Sequence, residues 1–537
     1  MKKKIFGFIL SAFFMLLLAS CNNNNSKKNK NDTIPAASPK DITIQGSFNS
    51  KFDVFFDSGK LTSFLQKYPV LLPLKNDLDS FYFKRKFALA WYDTAGLIEP
   101  AVNLFNRIQN INDEGLQDSF PYKKEFVALM KNNGRDSLYK PNPYTDFMLT
   151  AQYFMYAKNV WQGIDEKKSV SLDWLLPRKK VSYNELLDSL VSGKNILENA
   201  PVYEQYAKLR NFLKIYKDIQ AKGGWPGIEP GKKVLKMGDS SSAIAAMRTH
   251  LFITGDLPGN NESAVFDSAL YKGLMHYQER MGLSTDGAAG PAVFRELNVP
   301  VENRIEQIIV NMERCRWVPV NLQANYLIVN IPEYKLHVYE NNQLIWDMNV
   351  VVGQPAHKTV IFNGEIKYIV FSPYWNIPPG IMRNEVMPGI RANSNYLANH
   401  NMEWNGGNVR QKPGPNNSLG LVKFLFPNSF DIYLHDTPAK SLFGESSRAF
   451  SHGCIRLANA EKLADYLLRN DSAWNKTTIY NAMHSGKEKY VTLKNPEPVF
   501  IAYFTAWVSK DGVLNFRKDV YQRDGRLAAT ILKNPQI

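Results

Sequence analysis

The sequence predicts a multidomain α+β protein, helical in its first half and β-rich in its second half. Between residues 81 and 222, apolar side chains recur with a period near 3.6, as in helices that pack around a core. From Tyr326 onward, short β-prone runs follow one another, which favours a mostly antiparallel barrel or sandwich. A length of 537 residues is enough for several such domains.

The first twenty residues have the pattern of an export signal. Met1 to Lys4 is a positive start, and residues 5–18 are an apolar run too short to favour a permanent membrane span. The tetrapeptide Leu18-Ala19-Ser20-Cys21 resembles a bacterial lipobox, so we expect cleavage before Cys21 and lipidation of its thiol. The alternative is a plain secretory signal with an incidental cysteine. Either way the protein leaves the cytoplasm, so the net charge of +15 does not indicate nucleic acid as a partner.

Residues 21–74 are predicted to be a flexible tether, because their polar start cannot bury a core. Residues 75–230 are predicted to form a helical domain, in which no chemical constellation stands out. Residues 231–300 are predicted to form a small module of three helices, with a helix start near Ser241 and a turn-rich link at 282–291.

The three cysteines of the chain point to one reactive thiol and to no metal. Cys315 lies in a helical run with apolar neighbours, so we expect it to be a buried thiol. No cysteine pair has the spacing of metal ligands, and we expect neither a metal nor another cofactor.

The candidate chemistry lies between Tyr433 and Arg456. Cys454 is the predicted nucleophile and His435, nineteen residues earlier, is its predicted base. A thiol attacks as the thiolate, and a neighbouring imidazole can take its proton. Gly453 lets the backbone approach a substrate carbonyl, so that amides near Cys454 face a developing oxyanion.

These residues carry a specific resemblance. Ser451-His452-Gly453-Cys454-Ile455-Arg456, preceded by His435-Asp436-Thr437-Pro438, resembles the signature of L,D-transpeptidases with a YkuD-type catalytic domain, which cross-link bacterial peptidoglycan. The resemblance implies a β-rich, sandwich-like or barrel-like catalytic domain at 301–483. A polar stretch inserted between predicted strands at about 381–410 leads us to expect a lid there, and residues 484–537 resemble the C-terminal extension of the long periplasmic members of the family.

The earlier regions carry weaker resemblances. Residues 75–230 resemble the scaffold domain of the longer, periplasmic L,D-transpeptidases. Residues 231–300 resemble a three-helix peptidoglycan-binding domain, and the alternative is a spacer that has the fold but no affinity.

The family likeness also suggests roles for the neighbours of Cys454 and His435. The backbone carbonyl of Asp436 would fix the tautomer of the base, and His452 would have a supporting role. From strand parity rather than from the likeness, we expect Tyr433, two residues before His435, to donate to the oxyanion. By the same parity, we expect Arg456, two residues after Cys454, to hold a substrate carboxylate or brace the loop. Two further residues are candidates for lining a substrate groove, with simple packing as the alternative: Tyr374 and Trp375. The inserted lid carries arginines that we expect to meet an anionic stem peptide.

The predicted function is a cysteine L,D-transpeptidase that forms 3–3 cross-links through a thioester on Cys454. An L,D-carboxypeptidase, with water as the acceptor, would use the same residues, and an inactive wall-binding lipoprotein is a further alternative. A papain-like endopeptidase fits less well, because there the cysteine precedes the histidine in the chain. We expect stem peptides as substrates, other wall-synthesis enzymes as candidate partners, and a lipid anchor at Cys21 on the periplasmic face of the cell envelope.

Overall fold

The structure is a computed structural model. It describes residues 54–117, 120–131, 140–194, 200–229, 231, 233–318 and 324–532. The predicted signal segment and Cys21 lie outside the described residues. Within the described part of the chain, none of the helices combines the length and the apolar character that crossing a bilayer requires.

The first half of the described chain is helical, and its core is rich in aromatic side chains. Its helices are α1 Gly59–Lys67, α2 Lys75–Lys84, α3 Glu99–Gln109, α4 Lys123–Met130, α5 Pro143–Tyr156, α6 Glu166–Ser171, α7 Tyr183–Val191 and α8 Gln205–Ala221. Helix α5 is buried almost all round, as its wide apolar stripe predicts. The predicted tether boundary at residue 74 is wrong, because α1 already buries Leu61 and Phe64 in this core.

A small group of helices follows, and one long helix then leads to the sheet. The three short helices are α9 Ser242–Ile253, α10 Ser268–Arg280 and α11 Pro291–Leu297. Helix α12, Val301–Trp317, packs against α8 and buries Cys315 completely. Burial also raises the pKa of the Cys315 thiol far above its usual range, so this cysteine is a structural thiol.

The second half is built on a nine-stranded sheet in the order β10-β3-β11-β9-β8-β4-β12-β1-β2. Its strands are β1 Tyr326–Asn330, β2 Lys335–Glu340, β3 Gln343–Gly353, β4 Asn363–Phe371, β8 Val422–Leu425, β9 Leu434–His435, β10 Ala449–Ser451, β11 Ile455–Leu457 and β12 Lys489–Ala502. Strand β2 also pairs with β3, so eight of the strands form a closed ring with an apolar interior. Most of the pairings are antiparallel, whereas β1–β12, β3–β10 and β9–β11 are parallel.

The hairpin between β2 and β3 turns at Asn341 and Asn342. Asn341 and Asn342 have φ angles of 50° and 60°, the left-handed values that a two-residue hairpin turn of this kind requires. Asparagine tolerates these angles better than most residues, so this turn supports the register of the two strands.

The predicted C-terminal extension is partly wrong, because its first strand is a central strand of the sheet. Strand β12 lies between β4 and β1. The short hairpin β13 Ala506–Val508 and β14 Leu514–Phe516 and the helix α18 Asp524–Leu532 come after it. Two more helices, α16 Ala460–Leu468 and α17 Lys476–His484, cover the sheet before β12.

The region predicted as a lid is a small folded subdomain, which we call the insertion subdomain (residues 375–411). It contains β5 Trp375–Asn376, α13 Pro379–Ile381, a π-helical turn at Met382–Val386, α14 Met387–Ala392, α15 Tyr396–Asn399, β6 Met402–Asn405 and β7 Asn408–Gln411. Strands β5, β7 and β6 form a separate sheet. Ile377, Val386 and Val409 form its buried core, which the polar composition of the segment did not indicate.

Candidate active site

Strand pairing places the predicted base, His435, beside Arg456 on one face of the sheet. Strands β9 and β11 are parallel neighbours, and Arg456 lies opposite His435. At the first residue of β11, the N–H of Ile455 donates to the carbonyl oxygen of Tyr433 at 3.1 Å. Because side chains alternate along a strand and paired residues share a face, His435 and Arg456 project to the same side.

Cys454 immediately precedes β11, and its sulfur is partly enclosed. The thiol donates to the carbonyl oxygen of Asp431 at 3.5 Å, and the sulfur accepts hydrogen bonds from the backbone N–H and the hydroxyl of Tyr433. Burial raises the pKa of the Cys454 thiol, although the two donors of Tyr433 and the nearby Arg456 act in the opposite direction. At neutral pH, Cys454 is therefore mainly the thiol, and it would need a base to become the attacking thiolate.

His435 has the protonation state that a base requires. Its Nδ1 lies 2.5 Å from the carbonyl oxygen of Asp436, and a carbonyl only accepts hydrogen bonds, so Nδ1 carries the proton and Nε2 has a free lone pair. The ring is only 4% exposed. Burial and then the charge of Arg456 lower the pKa of His435 to about 3, which keeps the imidazole neutral.

The carboxylate of Asp436 does not face the base. One oxygen accepts from the backbone N–H of Leu421 at 2.9 Å, and the other pairs with the ammonium of Lys440 at 2.5 Å. Within this residue, therefore, the backbone carbonyl is the group that meets His435, and the side chain holds the adjacent loop.

Tyr433 connects the sulfur to the insertion subdomain. Its ring centroid is 5.7 Å from that of His435, and its hydroxyl accepts from the indole N–H of Trp375 while it bonds to the sulfur of Cys454. Burial raises the pKa of this hydroxyl, so Tyr433 is a neutral donor. The structure thus places Tyr433 beside the sulfur of Cys454, and Trp375 beside the hydroxyl of Tyr433.

Tyr374 lies beside Trp375, at the edge of the insertion subdomain. The guanidinium of Arg410 stacks 3.9 Å from the centroid of the Tyr374 ring. The backbone N–H of Tyr374 donates to the carboxylate of Glu488 at 2.9 Å. One face of this ring is therefore covered by the protein.

A lysine that sequence reasoning missed completes the row of side chains at His435. Lys423 on β8 lies opposite His435, and Arg456 lies opposite it on the other side. Among the described residues, neither cation has a carboxylate within 4 Å, and the buried Nε of Arg456 has no hydrogen-bond partner. The ammonium of Lys423 is 3.4 Å from the carbonyl oxygen of Tyr374. Burial lowers the pKa of both cations, so an anion that enters here would replace lost solvation.

His452 points to a different set of neighbours. Its Nε2 is 3.2 Å from a carboxylate oxygen of Glu385 in the insertion subdomain, and its ring is 5.2 Å from that of His357. A separation of two residues would place His452 and Cys454 on one face only if the segment between them were extended. Gly453 between them has a φ of 117°, so the alternation of a strand does not apply here.

The loop that carries Cys454 is held by residues that are distant in sequence. The hydroxyl of Thr359 donates to the carbonyl oxygen of Gly453 at 2.8 Å. The N–H of Gly453 donates to the hydroxyl of Ser451 at 3.1 Å, and that hydroxyl donates to the carbonyl oxygen of Cys454 at 2.5 Å. The hydroxyl of Tyr521 contacts the same region from the C-terminal end. No sequence motif pointed to Tyr521.

A large cavity of about 1430 Å³ lies elsewhere, between the short helices α10 and α11, strands β1 to β3 and the C-terminal hairpin. Its lining does not include Cys454 or His435. The cavity holds comparable numbers of acidic and basic side chains, so charge alone does not select an occupant.

Comparison with known proteins gives two domain matches. Residues 324–480 match the family described as the L,D-transpeptidase catalytic domain (YkuD), and residues 76–213 match the family described as the scaffold domain. A curated protein of Haemophilus influenzae, named "Putative L,D-transpeptidase", is 25% identical over 458 residues, which are 75% of this chain and 92% of that protein.

Solved structures give a more distant likeness. An L,D-transpeptidase from Mycobacterium smegmatis is 12% identical with a TM-score of 0.20; the match covers 33% of this chain and 58% of that one. An L,D-transpeptidase from Stackebrandtia nassauensis is 14% identical with a TM-score of 0.21, over 50% of this chain and 94% of that one. Scores this low do not establish a common arrangement of the whole chain.

Proposed function

We propose, from the premise that residues 324–480 form a YkuD-type L,D-transpeptidase catalytic domain, that the protein is a cysteine acyltransferase of peptidoglycan. It forms 3–3 cross-links between stem peptides through a thioester on Cys454. One observation carries the proposal: the protonated thiol of Cys454 immediately precedes β11, and the neutral imidazole of His435, with a free Nε2, lies on the parallel neighbour β9.

In the first transfer, Nε2 of His435 takes the proton of the Cys454 thiol. The sulfur attacks the carbonyl carbon of diaminopimelate in a donor tetrapeptide, and a tetrahedral oxyanion forms. The C–N bond to the terminal D-alanine then breaks. The leaving amine takes the proton from His435, and a thioester remains.

In the second transfer, the side-chain amine of diaminopimelate on a neighbouring stem attacks the thioester. It gives a proton to His435, the C–S bond breaks, and the sulfur receives that proton. One amide bond has been exchanged for another, so no external energy source is needed.

The charges around His435 suit a tetrapeptide donor. The donor stem carries carboxylates, and Lys423 and Arg456 provide two desolvated cations, one on each side of His435. The same cations keep the imidazole neutral before the substrate binds.

Mass spectrometry of muropeptides after incubation with purified protein tests the proposal. We expect new 3–3 dimers with wild-type protein and none with Cys454→Ala, while Cys315→Ala, which removes a buried thiol, keeps the activity. Release of D-alanine without dimers would show a carboxypeptidase instead. A wild-type protein with no turnover that still binds wall material would show an inactive binding protein.

We also propose that Cys21 carries the lipid and holds the enzyme on the periplasmic face of the cell envelope. The lipobox-like tetrapeptide that ends at Cys21 and the polar residues after it support this. Incorporation of a labelled fatty acid into wild-type protein but not into Cys21→Ala tests it.

A further inference from the structure

The last part of the chain, beyond the matched catalytic domain, contacts the loop that bears the nucleophile. Tyr521 is 2% exposed. Its hydroxyl donates to the carbonyl oxygen of Gly353 at 2.6 Å and accepts from the backbone N–H of Thr359 at 3.1 Å. One hydroxyl therefore fixes both ends of the short loop from Gly353 to Thr359.

Thr359 links Tyr521 to the residue that precedes Cys454. Its side chain is fully buried, and its hydroxyl accepts from the N–H of Gly353 at 2.9 Å and donates to the carbonyl oxygen of Gly453 at 2.8 Å. A continuous chain of hydrogen bonds thus runs from Tyr521 to the peptide bond between Gly453 and Cys454.

The backbone around Gly353 is packed so closely against His357 and Gly453 that it leaves no space for a side chain at Gly353. A methyl group added at Gly353 would lie 2.1 Å from the carbonyl oxygen of His357 and 3.2 Å from the Cα of Gly453. Because the segments touch directly, a displaced Thr359 would displace Gly453 as well.

Holding the carbonyl of Gly453 also orients the N–H of Cys454. A trans peptide is planar, and its C=O and N–H point in opposite directions. With the carbonyl held toward Thr359, the N–H of Cys454 is directed away from Thr359. Among the described residues, this N–H donates to no acceptor. A free backbone N–H on the nucleophilic residue is the kind of donor that stabilises an oxyanion.

We propose that Tyr521 and Thr359 are positioning residues that hold the N–H of Cys454 as the oxyanion donor, so that the C-terminal extension completes the catalytic site. This rests on the proposed function, since it assumes that Cys454 is acylated. Tyr521 does not touch the substrate and acts only through the loop.

The test compares two reactions at the same sulfur. Acylation by imipenem forms an oxyanion, whereas alkylation by iodoacetamide does not. We expect Tyr521→Phe, which removes one hydroxyl from a packed ring, to slow acylation about tenfold to a hundredfold. Alkylation should stay within about twofold of wild type, which also reports that the site is folded. Equal slowing of both reactions, or unchanged acylation, would overturn the proposal.

Substitutions at Thr359 give a second, independent measurement. Thr359→Val keeps the shape without the hydroxyl and should reproduce the selective loss of acylation, whereas Thr359→Ser keeps the hydroxyl and should restore most of it. A serine variant as slow as the valine variant would contradict the proposal, because the hydroxyl would then not be the group that matters.

Tyr503→Phe is the matched control within the extension. The hydroxyl of Tyr503 donates to Asp519 at 2.5 Å and accepts from the N–H of Tyr521 at 2.8 Å, but it has no bond to Gly353 or Thr359. Loss of the Tyr503 hydroxyl removes a hydrogen bond to the segment that carries Tyr521. We therefore expect Tyr503→Phe to be destabilised about as much as Tyr521→Phe, but to be acylated faster. Equal acylation in the two variants would refute positioning. Wild-type protein that imipenem never acylates would refute the proposed function itself.

Discussion

Arg456 lies directly opposite His435 in the parallel pairing of β11 with β9, so a cation faces a neutral imidazole across one strand spacing. Burial and this cation together hold the pKa of His435 at about 3. The base of the proposed reaction therefore stays unprotonated well into the acidic range.

Removing this cation should raise the pKa of His435 toward the usual value for histidine. In Arg456→Met, we expect the acidic limb of imipenem acylation to move to higher pH, because the imidazole then takes up a proton at a higher pH. The measurement is the acylation rate by mass spectrometry between pH 4 and 8. Arg469→Met, which removes an arginine that pairs with Glu340 and Glu497 instead, is the control. An acidic limb that does not move would show that Arg456 does not act on the base.

Lys423 should contribute to recognition of the donor carboxylate. We expect Lys423→Met to lower kcat/KM for the tetrapeptide donor about tenfold, equivalent to roughly 1.4 kcal/mol, with most of the change in KM. Lys367→Met, at an exposed lysine on β4, should have no such effect. Amidation of the donor's terminal carboxylate should lower kcat/KM of the wild-type enzyme by a similar factor, and that of the Lys423→Met enzyme much less. Equal losses in both enzymes would exclude a direct contact between the lysine and that carboxylate.

The alkylation profile of Cys454 should be that of a buried thiol. Because burial raises its pKa, we expect the rate with iodoacetamide to keep increasing through pH 9, without the low-pH plateau of a preformed thiolate. Tyr433→Phe removes a hydroxyl donor to the sulfur, so the thiol pKa should rise further and the rate at pH 8 should fall about threefold to tenfold. Tyr466→Phe, which loses a hydroxyl that has no partner among the described residues, is the control. A rate that levels off below pH 7 would contradict this account.

A buried ion pair outside the active site should make stability depend on pH. Nε2 of His337 lies 2.8 Å from a carboxylate oxygen of Glu333. Burial opposes both charges, but their mutual attraction wins: it raises the pKa of His337 and lowers that of Glu333 to about 2. The histidine's contribution is fully present below its unfolded pKa near 6.5 and is lost as the pH rises through its folded pKa. The glutamate's contribution is present above about pH 4.5 and is lost as the pH falls toward 2.

The substitution His337→Gln should therefore lower the free energy of unfolding most near pH 5 to 6, by about 3 kcal/mol, and clearly less at alkaline pH. Urea unfolding at pH 5.5 and pH 9.5 measures the difference. A cost that is the same at both values would mean that His337 is uncharged in the folded protein.

The residues of the candidate site that form a local motif could be predicted from the sequence, whereas their neighbours in the tertiary structure could not. Cys454 and His435 belong to a motif with fixed residues and spacing, and the Asn341–Asn342 turn follows from residues that tolerate left-handed angles. Lys423 and Tyr521 could not be found this way. Lys423 matters only because β8 pairs with β9 in one register, and Tyr521 only because the chain returns to the loop at Gly353.

The domain boundaries failed for a related reason. Polar composition suggested a tether up to residue 74, although a few well-spaced apolar residues in α1 are enough to fix that helix to the core. Likewise, β12 looked like an appendage, because a strand's place in a sheet depends on partners that are more than a hundred residues away. Composition does not contain that information.

The central position of β12 has a consequence for biosynthesis. The ring of strands cannot close until residues 489–502 have been made, since β4 and β1 meet only through them. More than 480 residues must be synthesised first, so an unfinished chain has no completed sheet around Cys454 and His435. The activity proposed for Cys454 would then begin only when the polypeptide is nearly complete.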